Sequence, residues 1–304
     1  PPPSPAPRPL PHRHLAPCGE MGNVSSETVG PNAPAILVGV VSYAENIGTI
    51  WEGMKQYFNN AGVDFDFMLF TNYDRQVEAL LAGQIDIAWN GPLAHVRTKR
   101  RTGNASLSLG MRDADCNFMV LILVRKDAGI KSLADLKGRR CAAGTRDSPQ
   151  ACVLPMYHIQ SKGVPLDSLD VTFFDRDLGK HGDTALGEIE VMNALVRNEA
   201  DFGFVSDMMY QRALGGGEDL DAIEILSCDP VPVFDHCQFD AMPTLSPKKW
   251  QDFTRLLFAM DMKNPAHRPV MQAEGIAEKW ERPREEGYQT MHAALANEAV
   301  APLP

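Results

Sequence analysis

Residues 35–41 read Ala-Ile-Leu-Val-Gly-Val-Val, an apolar run that ends at the polar residue Ser42. A short apolar run without alternating polar residues is typical of a strand buried on both faces, such as a central strand of a parallel sheet. Apolar residues then recur at helical spacing from Ile47 to Phe58, and a turn follows at Gly62. A buried strand followed by an amphipathic helix favours an α/β fold.

The same alternation continues after this first unit. Residues 65–70 and 85–89 form predicted strands, with a predicted helix over residues 74–82 between them. A second alternating unit begins with the apolar segment 118–124, and predicted helices dominate the chain from Ser246 onward. Two α/β units predict two lobes with a cleft between them, and ligands of such sheets bind outside the carboxyl ends of the strands.

Composition narrows the functional classes. The chain of 304 residues has 29 Lys and Arg against 39 Asp and Glu, which gives a formal net charge of −10. This balance argues against a nucleic-acid-binding protein, because affinity for the phosphate backbone comes from clustered basic residues. No run reaches 18 apolar residues, so the sequence predicts no transmembrane segment.

The N-terminal part of the chain differs from the rest. Residues 1–34 hold ten of the 23 prolines and no apolar periodicity, which predicts a disordered Pro-rich arm. They also lack the apolar stretch of a secretory signal peptide. The six cysteines contain no CxxC pair, which favours free thiols in a reducing compartment and leaves disulfides open.

Four loops that lead from a predicted strand into a helix carry hydroxyl, amide or small residues. They span residues 42–46, 90–92, 144–150 and 175–184. Free backbone N–H groups and the helix dipole favour an anion at a helix N-terminus, so four such loops at one cleft would form an oxyanion site. Ser148 followed by Pro149 is also an ordinary way to begin a helix, so that loop has a purely structural alternative.

The segment Asp235-His236-Cys237 is a second cluster of reactive side chains. Together with His181 and Asp183 it could supply metal ligands, but the spacing matches no metal motif, and we predict no metal and no cofactor. Adjacent residues of a strand point to opposite faces of the sheet. We therefore do not expect His236 and Cys237 to pair as base and nucleophile.

Four segments carry a family resemblance. They are QVEALLAGQIDIAW at 76–89, SLADLKGRR at 132–140, RDSPQA at 146–151 and NALVRNEADFG at 193–203. Together they resemble the phosphate, phosphite and phosphonate substrate-binding proteins of ABC transporters, over residues 34–291. The resemblance implies the two-lobed type II periplasmic-binding-protein fold, an α/β fold of two mixed, mostly parallel sheets flanked by helices.

The resemblance also implies how the chain is divided. Two crossover strands, at 118–124 and 234–241, would join lobe one to lobe two. Lobe one would hold residues 35–122 and 238–304, and lobe two would hold residues 123–237.

Several residues match positions of the family's ligand site. The hydroxyl-rich anion loop of the family aligns with residues 148–151, where this chain keeps the first serine, and the histidine and aspartate of the second-lobe loop align with His181 and Asp183. Backbone amides after Ser42 and Ser148 would bind oxyanion oxygens, and Tyr43 or Trp89 would cover an apolar part of the ligand. The candidate ligand-binding residues are Ser42, Tyr43, Trp89, Asn90, Asp147, Ser148, Gln150, Lys180, His181, Asp183, Asp207 and His236.

The implied function is capture of a small oxyanion or phosphonate-like ligand by hinge closure, with an ABC transporter permease as a candidate partner. Two alternatives stay open at this stage. One is an enzyme on the same fold, such as a cofactor-precursor synthase or lyase that uses Lys180, His181 or Cys237. The other is a sensor or assembly subunit without a transport role. The resemblance implies a periplasmic location, whereas the missing signal peptide leaves a cytoplasmic location open.

Overall fold

The first sheet is built mainly from the N-terminal part of the chain. The computed structural model describes residues 35–297, so the predicted arm at 1–34 lies outside the described residues. The strands of the first sheet are β1 (Ile36–Val41), β2 (Phe65–Phe70), β3 (Ile87–Asn90), β4 (Leu107–Arg112), β10 (Gln238–Ala241) and β11 (Trp280–Glu281). Their spatial order is β11-β4-β10-β3-β1-β2, which places the apolar run of β1 next to β3 inside the sheet.

The second sheet is built from the middle of the chain. Its strands are β5 (Val120–Arg125), β6 (Arg140–Ala143), β7 (Asp170–Phe173), β8 (Phe202–Ser206) and β9 (Ile223–Ile225). Their spatial order is β7-β6-β8-β5-β9. The chain passes from β4 to β5 through residues 113–119 and returns from β9 to β10 through residues 226–237. The two crossing segments meet at an antiparallel bridge between Phe118 and Phe234.

The two sheets are mixed, as predicted, but not mostly parallel. Among the described residues, four strand pairs are parallel and five are antiparallel. Each antiparallel pair involves β5, β10 or β11. Because the chain enters β5 and β10 from the opposite sheet, these two strands start at the edge where their neighbours end, and they run against them.

Helices flank both sheets. They are α1 (Ile47–Asn60), α2 (Tyr73–Leu81), α3 (Pro92–Arg101), α4 (Leu154–Ser161), α5 (Ala185–Val196), α6 (Asp207–Gly215), α7 (Pro247–Leu257), α8 (Arg268–Ala273) and α9 (Gln289–Ala296). Side-chain caps start several of them: Asn72 accepts from the Arg75 N–H before α2, and Ser246 accepts from the Lys249 N–H before α7. A capping box of Ser132 and Asp135 is present at a short 3₁₀ turn.

Hydrophobic cores lie against both sheets. One cluster packs Trp51, Phe58 and Phe239 against the first sheet, while another surrounds β5, β6 and α4. The second cluster also takes Val96 of α3 and Met291 of α9, so it reaches elements beside the first sheet. The predicted lobe boundary between residues 122 and 123 falls within β5, which lies wholly in the second sheet. The division into lobes stays a prediction.

Within the part of the chain that the structure describes, no helix combines the length and the apolarity that a bilayer crossing requires.

Candidate functional site

The loop after β7 contacts the first sheet's helices α2 and α3, and the loop after β6 bonds to it. The Tyr73 backbone N–H donates to the Gly179 carbonyl at 3.0 Å, and the Tyr73 hydroxyl donates to Asp183 Oδ2 at 2.6 Å. Tyr73 begins α2, whereas Gly179 and Asp183 lie in the loop that leads from β7 to α5. The predicted loops at 90–92 and 144–150 reach the same place, because a Cβ atom on Gly182 would lie 3.2 Å from Pro92 Cδ and the Gln150 amide donates to the Gly182 carbonyl. Three of the four predicted loops therefore converge at a junction between the sheets, which we call the interlobe site.

The second sheet contributes a cluster of buried polar side chains to this site. The Ser148 hydroxyl lies 2.7 Å from that of Thr184, and the Gln150 amide donates to the Gly182 carbonyl at 3.0 Å and to Glu188 Oε1 at 3.1 Å. Ser148 also accepts from the Ala151 N–H and so starts the helix, as the structural alternative predicted. The Ser148 hydroxyl therefore caps the helix and also contacts Thr184 in the interlobe site.

A buried ion pair lies on the side of the first sheet. Arg112, at the carboxyl end of β4, donates from Nε to Asp115 Oδ2 at 2.6 Å and from Nη2 to Asp115 Oδ1 at 2.9 Å. Burial disfavours the charge on Asp115, but the Arg112 guanidinium outweighs it and lowers the pKa of this carboxyl to about 2. The guanidinium also lies over the Trp89 ring, 5.2 Å from its centroid.

His236 connects this ion pair to the loop of the second sheet. Its Nδ1 lies 3.1 Å from Cys237 Sγ and 3.4 Å from Asp115 Oδ1. A Cβ atom placed on Gly182 would lie 2.8 Å from His236 Cε1 and 3.2 Å from Nε2, so the ring edge faces the Gly182 backbone. Only glycine fits at position 182 when the His236 ring lies this close to the backbone.

The contact between His236 and Cys237 contradicts the expectation that these neighbours point apart. The strand β10 begins at Gln238, so both residues precede it and strand alternation does not apply to them. Burial raises the pKa of the Cys237 thiol well above its usual range, which disfavours the nucleophilic thiolate.

Asp115, His236 and Cys237 bring three potential metal donor atoms within 4.8 Å of one another. Both oxygens of Asp115, however, already accept from Arg112, and an adjacent guanidinium repels a metal cation. The donor set therefore fits an internal hydrogen-bonded cluster better than a metal centre.

Three further ionisable groups lie at the site, with Glu274 and Tyr43 on the first-sheet side and Asp183 in the loop after β7. The Glu274 carboxylate is buried, and the Glu274 backbone carbonyl accepts from Arg112 Nη1 at 2.9 Å. Burial raises the pKa of Glu274 to about 7, although Arg112 lowers it. Burial likewise raises the pKa values of Tyr43 and Asp183, and Asp183 adds to the effect on Tyr43. The site thus holds more carboxyl groups than cations.

A second group of polar side chains lies at the edge of the junction. His181 Nε2 is 3.3 Å from Arg97 Nη1 and 3.6 Å from Asp147 Oδ2, and Arg97 also pairs with Asp74. Burial and then Arg97 lower the pKa of His181 to about 3, so this ring is neutral near pH 7. His181 has a positive φ of 22° and stacks on the Tyr73 ring at 5.3 Å, which holds the loop in a strained conformation.

Three predicted site residues lie away from the interlobe contacts. Ser42 is exposed and its N–H donates to the Phe70 carbonyl at 2.9 Å. Trp89 packs in the first-sheet core, with its ring centroid 4.4 Å from that of Phe239. Asn90 is buried and donates to Asp240 Oδ2 at 2.8 Å. Trp89 and Asn90 therefore pack within the first-sheet core, where the buried Asn90 amide has its hydrogen-bond partner. The Trp89 ring also lies under the Arg112 guanidinium.

The remaining predicted residues lie at or near the junction. Asp147 is buried, and its Oδ2 accepts from the Gly179 N–H at 2.7 Å. Burial raises the pKa of Asp147 to about 6. Lys180 is partly exposed in the same loop, and Asp207 is partly exposed at the first residue of α6.

Sequence reasoning missed five residues of the site, of which Arg112 matters most. The others are Tyr73, Thr184, Glu188 and Glu274. The segment Leu107-Ser108-Leu109-Gly110-Met111-Arg112 alternates with a period of two, so a strand ending at Arg112 was detectable. No local signal marks Glu274, which reaches the site from the end of α8.

Comparisons with known proteins identify a family match, a curated relative and solved structures with a similar fold. Residues 38–288 match the family model described as the periplasmic phosphonate substrate-binding protein of ABC transporters. A probable ABC transporter phosphite binding protein, PhnD1 of Prochlorococcus marinus strain MIT 9301, is 26% identical over 118 residues. That match spans 37% of this chain and only 39% of the length of the relative.

Two solved structures share the fold. PhnD1 of Prochlorococcus marinus in complex with methylphosphonate is similar at a TM-score of 0.65 and 16% identity, covering 86% of this chain and 97% of that one. XAC2383 of Xanthomonas citri bound to ATP is similar at a TM-score of 0.68 and 15% identity, covering 88% and 98%. The two-lobed α/β fold that the sequence predicted is thereby confirmed.

Proposed function

Because the chain belongs to the family of periplasmic phosphonate substrate-binding proteins of ABC transporters, we propose that it binds a small oxyanion of the phosphonate type at the interlobe site. The matched relatives are transporter binding proteins and not enzymes. A buried thiol at Cys237 and a neutral, buried imidazole at His181 add nothing in favour of the enzyme alternative.

The observation that carries the proposal is a set of buried polar atoms at this site that lack a partner among the described residues. These atoms are His236 Nε2, Gln150 Oε1, Glu274 Oε1, Asp147 Oδ1 and His181 Nδ1. A buried polar atom without a hydrogen bond costs about 1–3 kcal/mol, so such atoms are rare where no ligand is expected. Five of them around one junction support a ligand that supplies the missing bonds, such as a partly protonated oxyanion, which can both accept and donate hydrogen bonds.

The donors for the oxyanion would come from both sheets. The hydroxyl pair of Ser148 and Thr184 would donate to it from the second sheet, and the His236 ring would donate from Nε2. Gln150 Oε1 would accept from a protonated oxygen of the ligand. Arg112 would stabilise the negative charge from behind His236, since it is paired with Asp115 in the same cluster. Lys180 would attract the anion at the edge of the site, while Asp147, His181 and Asp183 position the loop.

Hinge closure would couple binding to the contacts between the sheets. Tyr73 makes two hydrogen bonds to the loop that holds Gly182 and Asp183. In this proposal the Tyr73 bonds form only in the closed state, when the two lobes meet. The ligand would likewise be bonded by both lobes only in that state. A transporter permease that recognises the closed form would be the partner, and the family resemblance supports a periplasmic location.

Binding itself is the first test. Isothermal titration with methylphosphonate, phosphite and phosphate should show one-to-one saturable binding of at least one of them. A ligand at a hundred times its Kd should stabilise the protein by about 2.7 kcal/mol and raise its melting temperature by several degrees. The absence of binding and of thermal stabilisation with all three would contradict the proposal.

The His236→Leu variant tests whether the ligand lies at the interlobe site. We expect at least a tenfold rise in Kd, about 1.4 kcal/mol, because the ring nitrogen that faces Gly182 is lost. The matched control is His267→Leu, since His267 lies near α8 and bonds the Asp261 N–H. Equal Kd values for both variants would place the ligand elsewhere.

Removing one hydroxyl tests the coupling to closure. In Tyr73→Phe the 2.6 Å bond to Asp183 is lost, and because a buried carboxyl oxygen is left without its partner the loss should cost about 1–3 kcal/mol of closed-state stability. We expect Kd to rise about tenfold or more and ligand release to accelerate in stopped-flow measurements. Tyr57→Phe is the control, because Tyr57 donates to Leu256 within the first-sheet side. A Tyr73→Phe variant with unchanged Kd and release rate would show that this bond does not stabilise the closed form.

A further inference from the structure

Glu274 differs from the other carboxyl groups of the interlobe site. The Asp115 oxygens accept from Arg112, Asp183 accepts from Tyr73, and Glu188 accepts from Ser206 and Gln150. Glu274 Oε1, in contrast, is buried and has no partner among residues 35–297. Asp147 Oδ1 also lacks a partner there, but Asp147 Oδ2 accepts from the Gly179 N–H. It ends α8 in a position where its backbone carbonyl, and not its carboxylate, bonds Arg112.

The charges around Glu274 are mostly negative. The charged or titratable groups that interact electrostatically with Glu274 are Tyr43, Arg112, Asp115, Asp183 and Cys237. The one guanidinium in this set is already neutralised by Asp115 at 2.6 Å. An ionised Glu274 would therefore face a bound anion without a compensating cation, and in a buried site like charges repel strongly.

Protonation of Glu274 removes this charge repulsion. A protonated Glu274 can donate a hydrogen bond from its carboxyl group, and a ligand with an acidic proton can donate to the free Oε1 instead. A ligand with two negative charges and no proton can do neither while Glu274 is ionised. Burial, which raises the pKa of Glu274 to about 7, keeps the proton near physiological pH.

We propose that Glu274 makes the interlobe site selective for singly charged oxyanions over doubly charged ones, a role that rests on the proposed function. The residue acts by proton-dependent charge repulsion. It thereby sets which ionisation state of the ligand is captured.

Methanesulfonate is the probe that isolates the protein's titration, because it keeps a single charge at every working pH. For the wild-type chain we expect its Kd to rise at least tenfold between pH 6 and pH 8.5, as Glu274 loses its proton. In Glu274→Gln the amide stays neutral, so the Kd should change less than threefold over the same range. Glu278→Gln is the matched control, since Glu278 is exposed four residues away, and it should behave as the wild type does.

Methylphosphonate tests the selectivity, since it loses its second proton near neutral pH. At pH 8.5 the wild-type chain should bind methanesulfonate at least tenfold more tightly than methylphosphonate, and Glu274→Gln should reduce that ratio severalfold. A Glu274→Gln variant that keeps the wild-type pH dependence and ratio would overturn the role of Glu274. A wild-type chain that at pH 6 binds neither of these ligands, nor phosphite or phosphate, and shows no thermal shift would instead overturn the proposed function.

Discussion

A Gly182→Ala variant should bind its oxyanion at least a hundredfold more weakly than the wild type, a loss of about 2.7 kcal/mol. The added Cβ would lie 2.8 Å from His236 Cε1 and 3.2 Å from Pro92 Cδ. His236 cannot yield easily, because its ring packs against Phe118 at 4.6 Å and Phe234 at 5.9 Å. The variant would therefore hold the two sheets apart at the ligand.

The same variant should unfold at nearly the wild-type temperature in the absence of ligand. Replacing Gly by Ala restricts the unfolded chain and can add about 0.4–1 kcal/mol where the backbone is compatible. Gly215→Ala is the control, since a Cβ atom at Gly215 meets no atom within 4 Å. Titration calorimetry and thermal melts would report both quantities. Ligand affinity within threefold of the wild type would mean that the loop of Gly182 does not close on the ligand.

An Arg112→Met variant should lose about 3–5 kcal/mol of unfolding free energy, the largest stability effect that we expect from a single substitution. Met leaves the Asp115 carboxylate buried without its two hydrogen bonds from the guanidinium. The surface pair of Arg255 and Asp252 is the comparison, and Arg255→Met should cost less than about 1 kcal/mol because solvent screens that pair. Urea denaturation would measure both losses.

The pH dependence provides an independent check. The pKa of Asp115 is about 2 in the folded chain, below its usual value, so the ion pair stabilises the protein above pH 4. This contribution falls as the pH drops from 4 towards 2. The deficit of Arg112→Met should therefore shrink as the pH falls through that window. The double variant Arg112→Met/Asp115→Asn should recover part of the loss, because no charge is left buried alone. A deficit that is equal at pH 7 and pH 3 would contradict this account.

Local sequence patterns predicted several elements closely. The predicted strand at 65–70 is β2 with the same bounds, and the helix expected from Ile47 is α1. Apolar periodicity reports which face of an element is buried, and that information is local. Ser148 was likewise identified as a cap, because capping depends on the three residues that follow.

The strand β4 was not predicted from the local sequence pattern. Its alternation was present in the sequence, but it carries a Ser and a Gly between apolar residues, and it pairs with β10, which lies far along the chain. Without β4 the loop after it was not considered, and Arg112 was missed. The predicted loops offer backbone N–H groups to an anion, whereas the structure adds the side-chain cation of Arg112 to the site.

By itself the sequence determined the α/β class, the position of most strands and helices, and three of the loops that meet at the site, because each of these depends on neighbouring residues. The tertiary structure alone decided which polar groups face one another. Arg112 and Glu274 are separated by 162 residues, and their contact exists only when α8 packs beside β4. The charge balance of the interlobe site is therefore a property of the folded chain, since electrostatic interactions depend on distance in space and on burial.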